Sequence, residues 1–534
     1  MKRHAGLVAL IAVVAPLAAM FCWHDVIASI GDDSLSYVAL ARHLSPFSGD
    51  ALVEPWVRYY SHFPPVFPLL LAFTGGAWNF LAAHMLVAAC AVFAAAMVCI
   101  CGAMRLGSER AGLGAAVVFL LLPTAWVSIL GILTEPLYLA LSLAALAWHE
   151  RHPEGRNTRD ALVLGLLIAA ACMTRVAGVA LIAAYVAHVV IGVIVRRERP
   201  AMRAFLPIAI PVAFQLLWWI LRPPLQSRGY QMDLQAILGN WFTDTGRVAT
   251  ISWNSLSGAW VSSFAGDSSE PLWRRIAFAA ICVAGFAGAV RGAMRNRLDS
   301  WYTLATGAML VLWVFNEDNQ RRLLYPLVPL LLVHAAEMLE ALVQRFKDVV
   351  RPSLAMPAAA AFVVALSAPA TLLVFQKSLD RVPYIAGYGY SPAAITDYYT
   401  TVNVTTARGV AWRLAAVLAG LESIGRETPP GSRVMWVRPE YIAILGKREA
   451  VPWYYSWDRA TLAREIKRTG TTHVVAARLF KSDLAGSQGD AFAAFAIDTP
   501  AYLRAVSKIA DPAGTEEFVL LKVDTQELER AIAR

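Results

Sequence analysis

The chain is poor in charge. Only 16% of its 534 residues are Asp, Glu, Lys or Arg, against 58% hydrophobic, and mean hydropathy is +0.52. That balance excludes an ordinary soluble enzyme. Cysteine is scarce as well: Cys22, Cys90, Cys99, Cys101, Cys172 and Cys282 lie in or beside apolar runs, and none falls past residue 376. The C-terminal part therefore has no disulfide framework. Cys99 and Cys101 lack the companion Cys/His set of a structural zinc site. No Gly-rich Walker-type loop occurs, which excludes ATP-driven transport by this chain alone. The polar loops on the basic side are too short to house a nucleotide-sugar enzyme.

What the chain has in plenty is long apolar runs, each able to cross about 30 Å of hydrocarbon. They lie near 6–23, 79–103, 112–130, 133–149, 161–173, 176–195, 203–222, 273–292, 300–316, 323–342 and 355–376. The pattern predicts a polytopic α-helical membrane protein of about eleven transmembrane helices. Met1–Trp23 reads as a retained anchor and not as a cleaved signal. With Lys2 and Arg3 cytoplasmic, alternate loops should be basic, and they are: Arg105/Arg110, Arg151/Arg156/Arg159, Arg196/Arg197/Arg199/Arg203, Arg291/Arg295/Arg297 and Arg345/Lys347/Arg351. Arg274 and Arg275 are a local exception. The net charge of +9 is then mostly topology, not nucleic-acid binding. An odd number of spans puts the C-terminal segment outside.

The same topology gathers polar residues on the outer side. Loop 24–78 carries Asp25, Asp32, Asp33, Glu54, Arg58 and His62. Thr134-Glu135-Pro136 and Thr174-Arg175 fall at outer turns, as does Asn316-Glu317-Asp318-Asn319-Gln320-Arg321-Arg322 ahead of Tyr325. Each has a plain structural explanation. Asp32 or Asp33 suits a helix N-cap before Ser34-Leu35-Ser36-Tyr37, and Arg175 suits a snorkelling arginine. Glu135 is placed as a first-turn acid, and Glu317/Asp318 with Arg321/Arg322 suit local ion pairs. His62 suits an ordinary loop histidine. None of these explanations accounts for all the groups sharing one side, where ionisable residues are costly without water, partners or a ligand. Arginine binds phosphate bidentately, so a lipid phosphate is a reasonable ligand.

The order of these motifs resembles the GT-C class of polyprenyl-phosphate-sugar-dependent glycosyltransferases, in particular bacterial relatives of protein O-mannosyltransferases and lipid A aminoarabinose transferases. The carriers are Asp33-Ser34-Leu35-Ser36-Tyr37, Phe63-Pro64-Pro65-Val66-Phe67-Pro68, Thr134-Glu135-Pro136-Leu137, Thr174-Arg175 and Arg322-Leu323-Leu324-Tyr325-Pro326, over most of residues 1–345. The chain departs from the pattern twice. Ser34 stands where relatives often have a second acid, and Phe63 stands where some have a lysine, so His62 or Arg58 would supply positive charge there.

The resemblance implies a polyprenyl-monophosphate-sugar donor, with the acceptor a hydroxyl on an envelope glycolipid, polysaccharide or protein. Inversion at the anomeric carbon is implied as well. Asp33 is the expected base, favoured by the match through Tyr37, with Asp32 the alternative. Glu135, Arg175, Arg321, Arg322, Arg58, His62 and Tyr325 are expected to bind substrate. A divalent cation could use Asp32, Asp33 and Glu135, although the sequence does not demand one. The expected location is the bacterial inner membrane. The alternative is a transporter or flippase for a lipid-linked glycan. It predicts polar groups through the bilayer midplane, and the mostly Ala/Leu/Val spans speak against it.

Past Gln376 the character changes. Residues 377–534 read as an outer (periplasmic) α/β domain, with strands near Val434–Val437, His473–Ala477 and Phe518–Val523 and a helix near Thr461–Arg468. Residues 1–376 form the transmembrane part. Tyr384, Tyr388, Tyr390, Tyr398 and Tyr399 fit a membrane-interface position. Loop 223–272, with Trp241, Trp253 and Trp260, is expected to be interfacial too.

Overall fold

The computed structural model describes residues 5–27, 33–152, 157–197, 201–225, 230–346, 352–379, 404–453, 457–479 and 499–533. The chain is mostly helical, with a five-stranded sheet near its C-terminus. It forms two compact units: Met1–Leu44 with Arg58–Ser378, and Ser45–Val57 with Leu379–Arg534. Asp32 and the five tyrosines between 384 and 399 lie outside the described residues.

The helices of residues 5–379 are α1 (Ala5–Phe21), α2 (Asp33–Leu44), α3 (Glu54–Tyr60), α4 (Val66–Phe73), α5 (Phe80–Leu106) and α6 (Glu109–Leu120). There follow α7 (Pro123–Val127), α8 (Glu135–Arg151), α9 (Thr158–Cys172), α10 (Val179–Arg196), α11 (Leu206–Leu221) and α12 (Tyr230–Thr243). The last are α13 (Thr245–Ala265), α14 (Leu272–Met294), α15 (Leu298–Leu312), α16 (Glu317–Leu324), α17 (Val328–Arg345) and α18 (Pro352–Leu379). Among the described residues five segments are long and apolar enough to cross a membrane: Phe80–Leu106, Val176–Val195, Met202–Leu221, Leu272–Met294 and Leu354–Gln376. A sixth is gained if the bent pair α16–α17 counts as one span.

Local chemistry sets the helix ends. Asn79 accepts from Ala82 N at 3.1 Å to start α5. Gly107, at φ +72°, ends α5, and Ser108 caps α6 through Ala111 N at 3.1 Å. Asn316 caps α16 through Asn319 N at 3.0 Å. Pro326 then interrupts the chain, and α17 leaves at 63° to α16. Loop 223–272, read from sequence only as interfacial, is largely two helices, α12 and α13. Trp253 is exposed there, whereas Trp260 is buried and donates to Phe278 O at 2.7 Å.

Close helix contacts rely on small residues, as expected where apolar burial gives little preference between helix and lipid. A Cβ at Gly288 of α14 would overlap the His334 carbonyl of α17. At the end of the bundle where α5 and α8 finish, an ionic network joins four helices. Arg105 holds Glu150 through two bonds of 3.0 and 2.9 Å and Asp299 at 2.6 Å. Arg297 reaches Asp299 at 3.1 Å and Glu337 at 2.7 Å, and His334 meets Glu337 at 3.2 Å. His334 and Glu337 belong to the apolar run 323–342 and join this network from within it.

In the second unit, β1 (Arg433–Trp436), β2 (Glu449–Pro452), β3 (His473–Ala477), β4 (Leu503–Ala510) and β5 (Glu516–Val523) lie in the order β2-β1-β3-β5-β4. β1 is parallel to β2 and β3, while β5 is antiparallel to β3 and β4. Helix Arg459–Thr469 buries Leu462, Ala463 and Ile466 against Met435, Val474 and Leu521, a core of ordinary amphipathic packing.

Candidate active site

The site is assembled from five separated segments of the first unit. Asp33 opens α2, and the next residue, Ser34, accepts from Ile132 N at 3.0 Å. One turn on, Tyr37 OH lies 3.3 Å from Thr134 Oγ1. These two bonds fix the start of α2 to the segment that leads into α8, where Pro136 suits the first turn because its missing N–H would have no partner. The Phe63 and Phe67 rings pack against Tyr37 at centroid distances of 4.9 and 5.4 Å. Val66 N donates to Met173 O at 2.9 Å, so the proline segment docks on the turn after α9. That turn is tight: a Cβ at Gly178 would lie 2.6 Å from Cys172 Cα.

On this frame four charges meet. Arg322 Nη2 donates to Asp33 Oδ2 at 2.6 Å, and its Nε donates to Glu135 Oε1, also at 2.6 Å. Arg175 Nη1 lies 2.9 Å from the same Glu135 oxygen and 3.2 Å from Thr134 Oγ1. Glu135 is wholly buried, while the Asp33 side chain is 24% exposed. Glu135 Oε2 has no hydrogen-bond partner among the described residues. Burial alone would lower the Arg175 pKa, but the adjacent Glu135 carboxylate outweighs it and the net direction is upward, so the guanidinium stays charged.

Asp33, Arg175 and Arg322 line a cavity of about 300 Å³, together with Tyr37, His62 and Asn319. The rest of its lining is mainly apolar, including Val176, Val179, Met309, Leu310, Trp313 and Phe315. Such a mixture can hold an anionic head and the start of a hydrocarbon tail side by side. Among the described residues no group of three or more His, Cys, Asp or Glu is placed to hold a metal ion.

The sequence-selected residues divide accordingly. Asp33, Glu135, Arg175 and Arg322 come together, and His62 lines the cavity with its ring 4.3 Å from that of Phe63. Glu135 sits behind the two arginines and is not part of the lining. Arg321 is buried and pairs with Asp318 at 3.3 Å, away from the lining. Tyr325 is buried with its ring 5.7 Å from Phe119, and exposed Arg58 lies on α3; neither lines the cavity. Sequence reasoning gave no part to Trp313, Phe315 and Asn319. Their nearness to Arg322 in the chain was the available signal.

No protein-family model matches the chain, and a search of curated proteins finds no match. Solved structures do match. The described residues are mostly helical, with five or six apolar helices long enough to cross a membrane and a small C-terminal sheet. ArnT from Cupriavidus metallidurans bound to undecaprenyl phosphate aligns over 98% of this chain and 99% of its own, with TM-score 0.52 and 13% identity. The apo state of that protein gives 0.53, again at 13% identity, over 98% of each chain. The Archaeoglobus fulgidus oligosaccharyltransferase complexed with Zn and sulfate gives 0.50 at 13% identity, over 95% of this chain and 72% of its own. ArnT, a lipid A aminoarabinose transferase, and the oligosaccharyltransferase are both GT-C glycosyltransferases, and theirs is the fold this chain shares.

Proposed function

We propose that this chain is a membrane glycosyltransferase that moves a sugar from a polyprenyl-monophosphate donor to an acceptor hydroxyl on an envelope glycolipid, polysaccharide or protein. One observation carries the reading: a carboxylate and two arginines line a single cavity whose remaining wall is mostly apolar. The shared fold with ArnT, solved with undecaprenyl phosphate, supports it.

In the proposed reaction the acceptor oxygen bonds to the anomeric carbon as the bond from that carbon to the phosphate oxygen breaks. The acceptor proton passes to Asp33, and the electron pair leaves with the phosphate as polyprenyl phosphate. Arg322 and Arg175 offset the charge gained by the leaving group. Glu135 holds both guanidinium groups from behind. His62 adds a polar group to the sugar end, and the wall of Met309, Leu310, Trp313 and Phe315 receives the first isoprene units. Asp32 is the alternative base. The divalent cation that the sequence allowed on Asp32, Asp33 and Glu135 does not suit Glu135, whose carboxylate is buried against the Arg175 and Arg322 guanidinium groups, so no step is assigned to a metal. A single displacement inverts the anomeric centre.

The accompanying topology has about eleven spans, with the N-terminus cytoplasmic and the C-terminal unit on the periplasmic side of a bacterial inner membrane. α1, α6, α8, α9 and α15, of 17, 12, 17, 15 and 15 residues, are short for a span and would complete the count with their flanking residues.

The test is transfer from synthetic polyprenyl-phosphate sugars by purified wild type, Asp33→Asn and Asp32→Asn. Activity lost only in Asp33→Asn supports the reading, and loss only in Asp32→Asn moves the base by one residue. Full activity in both rules out carboxylate catalysis. Sugar crossing liposomes without covalent transfer would favour a flippase. Mass spectrometry of envelope lipids and glycans from a deletion strain would name sugar and acceptor together.

A further inference from the structure

The four charges at the head of the cavity cancel: Asp33 and Glu135 against Arg175 and Arg322. A donor phosphodiester would bring one more negative charge to described charges that already balance. Of the two acids, Glu135 is wholly buried and excluded from the lining, with Arg322 Nε at 2.6 Å. Asp33 is the one acid that lines the cavity among the described residues, and it is partly exposed. It takes Arg322 Nη2, from an arginine that also lines the cavity. Carboxylate and phosphate oxygens engage a guanidinium edge in the same geometry.

We infer that Asp33 and the donor phosphate compete for Arg322, so that docking the donor takes the arginine from the carboxylate and frees Asp33 to accept a proton. The inference rests on the function proposed above and adds a regulation of the same site. Glu135 keeps the guanidinium in place through Nε, so the partner that moves is Asp33. Without donor the carboxylate oxygen Oδ2 is occupied by Arg322 Nη2 at 2.6 Å. During transfer, charge moves in the same direction. Asp33 goes from −1 to neutral as it takes the acceptor proton, and the phosphate goes from −1 to −2 as its bond to the sugar breaks. Arg322, bonded first to one and then to the other, follows the charge without leaving its seat.

The experiment uses a polyprenyl methyl phosphate, an unreactive diester with the single charge of the donor. Its binding to the purified full-length chain in nanodiscs is measured for wild type, Asp33→Asn, Arg322→Gln and the double variant. Competition predicts that Asp33→Asn binds the diester about tenfold tighter than wild type, the scale of one charge-assisted hydrogen bond regained. It also predicts that Arg322→Gln binds more weakly and that the double variant shows none of the gain. Unchanged or weaker binding by Asp33→Asn overturns the competition while leaving the glycosyltransferase reading intact. Absence of binding in wild type and every variant overturns that reading itself. Asp33→Ser provides a second carboxylate-free variant should the asparagine form fail to fold.

Discussion

Glu135 Oε1 and Arg322 Nε are 2.6 Å apart, although 187 residues separate them in sequence. The bond ties the start of α8 to α16 in a place closed to solvent. A carboxylate buried there is tolerated because two guanidinium groups share it.

Replacing Glu135 by Gln would leave two buried cations without their common counter-charge. Loss of one member of a buried ion pair costs about 3–5 kcal/mol, so Glu135→Gln should unfold at markedly lower denaturant concentration in micelles. A stability equal to wild type would show that the arginines are held by something else.

Arg322→Lys keeps the charge and loses the planar fork. One ammonium cannot span both Glu135 and an acid or phosphate in the cavity as the guanidinium does. The expected result is a fall in kcat of about 10²–10³-fold with the synthetic donor, the cost of removing one charge-stabilising donor. Arg321→Lys, away from the cavity lining, should change kcat much less under the same assay.

At the other end of the bundle Asp299 is held by Arg105, Arg297 and the Ser300 amide, the last at 2.8 Å. Asp299→Ala should therefore destabilise the helical unit by about 3–5 kcal/mol. Binding of the unreactive diester, measured at a temperature where the variant is folded, should survive. Parallel loss of stability and binding would mean that the two ends are not separable.

A pH effect is expected in the second unit. His473 on β3 faces Lys522 on β5, and its pKa is lowered first by burial and then by that lysine. The unfolded chain binds the proton near the ordinary value of 6.5 and the folded unit does so only below it. Stability is thus intact above that value and declines as pH falls through it toward the lowered one. Hydrogen exchange in the full chain should show strands β1 and β3 opening more often at acid pH than at neutral pH, with a smaller difference in His473→Gln. An equal pH response in the variant would assign the effect to other groups.

Much of the site was legible because ionisable residues are rare in an apolar chain, and those at the ends of apolar runs mark themselves. Thr134-Glu135, Arg175 and Arg322 stand out in that way. Composition could not rank near neighbours: Arg321 and Arg322 look alike in sequence, but the register of α16 gives Arg322 to Asp33 and Glu135 and leaves Arg321 with Asp318. Tyr325 follows the same helix and packs by Phe119. Arg105 and Arg297 were read as loop charges marking topology, which concealed their pairing with Glu150, Asp299 and Glu337. Glu337, an acid inside an apolar run, was the signal that could have found that network. α12 and α13 were missed as helices because tryptophans and polar residues obscure their period.

Helix α8 carries an acid at each extremity: Glu135, held by α16 and the turn before α10, and Glu150, held by Arg105 of α5. Its 17 residues span about 25 Å at 1.5 Å each. A strut clamped at both ends resists tilting. Room for a bulky lipid must then come from neighbours that are not riveted to it, so the floor beneath the reacting atoms stays put while the walls give way.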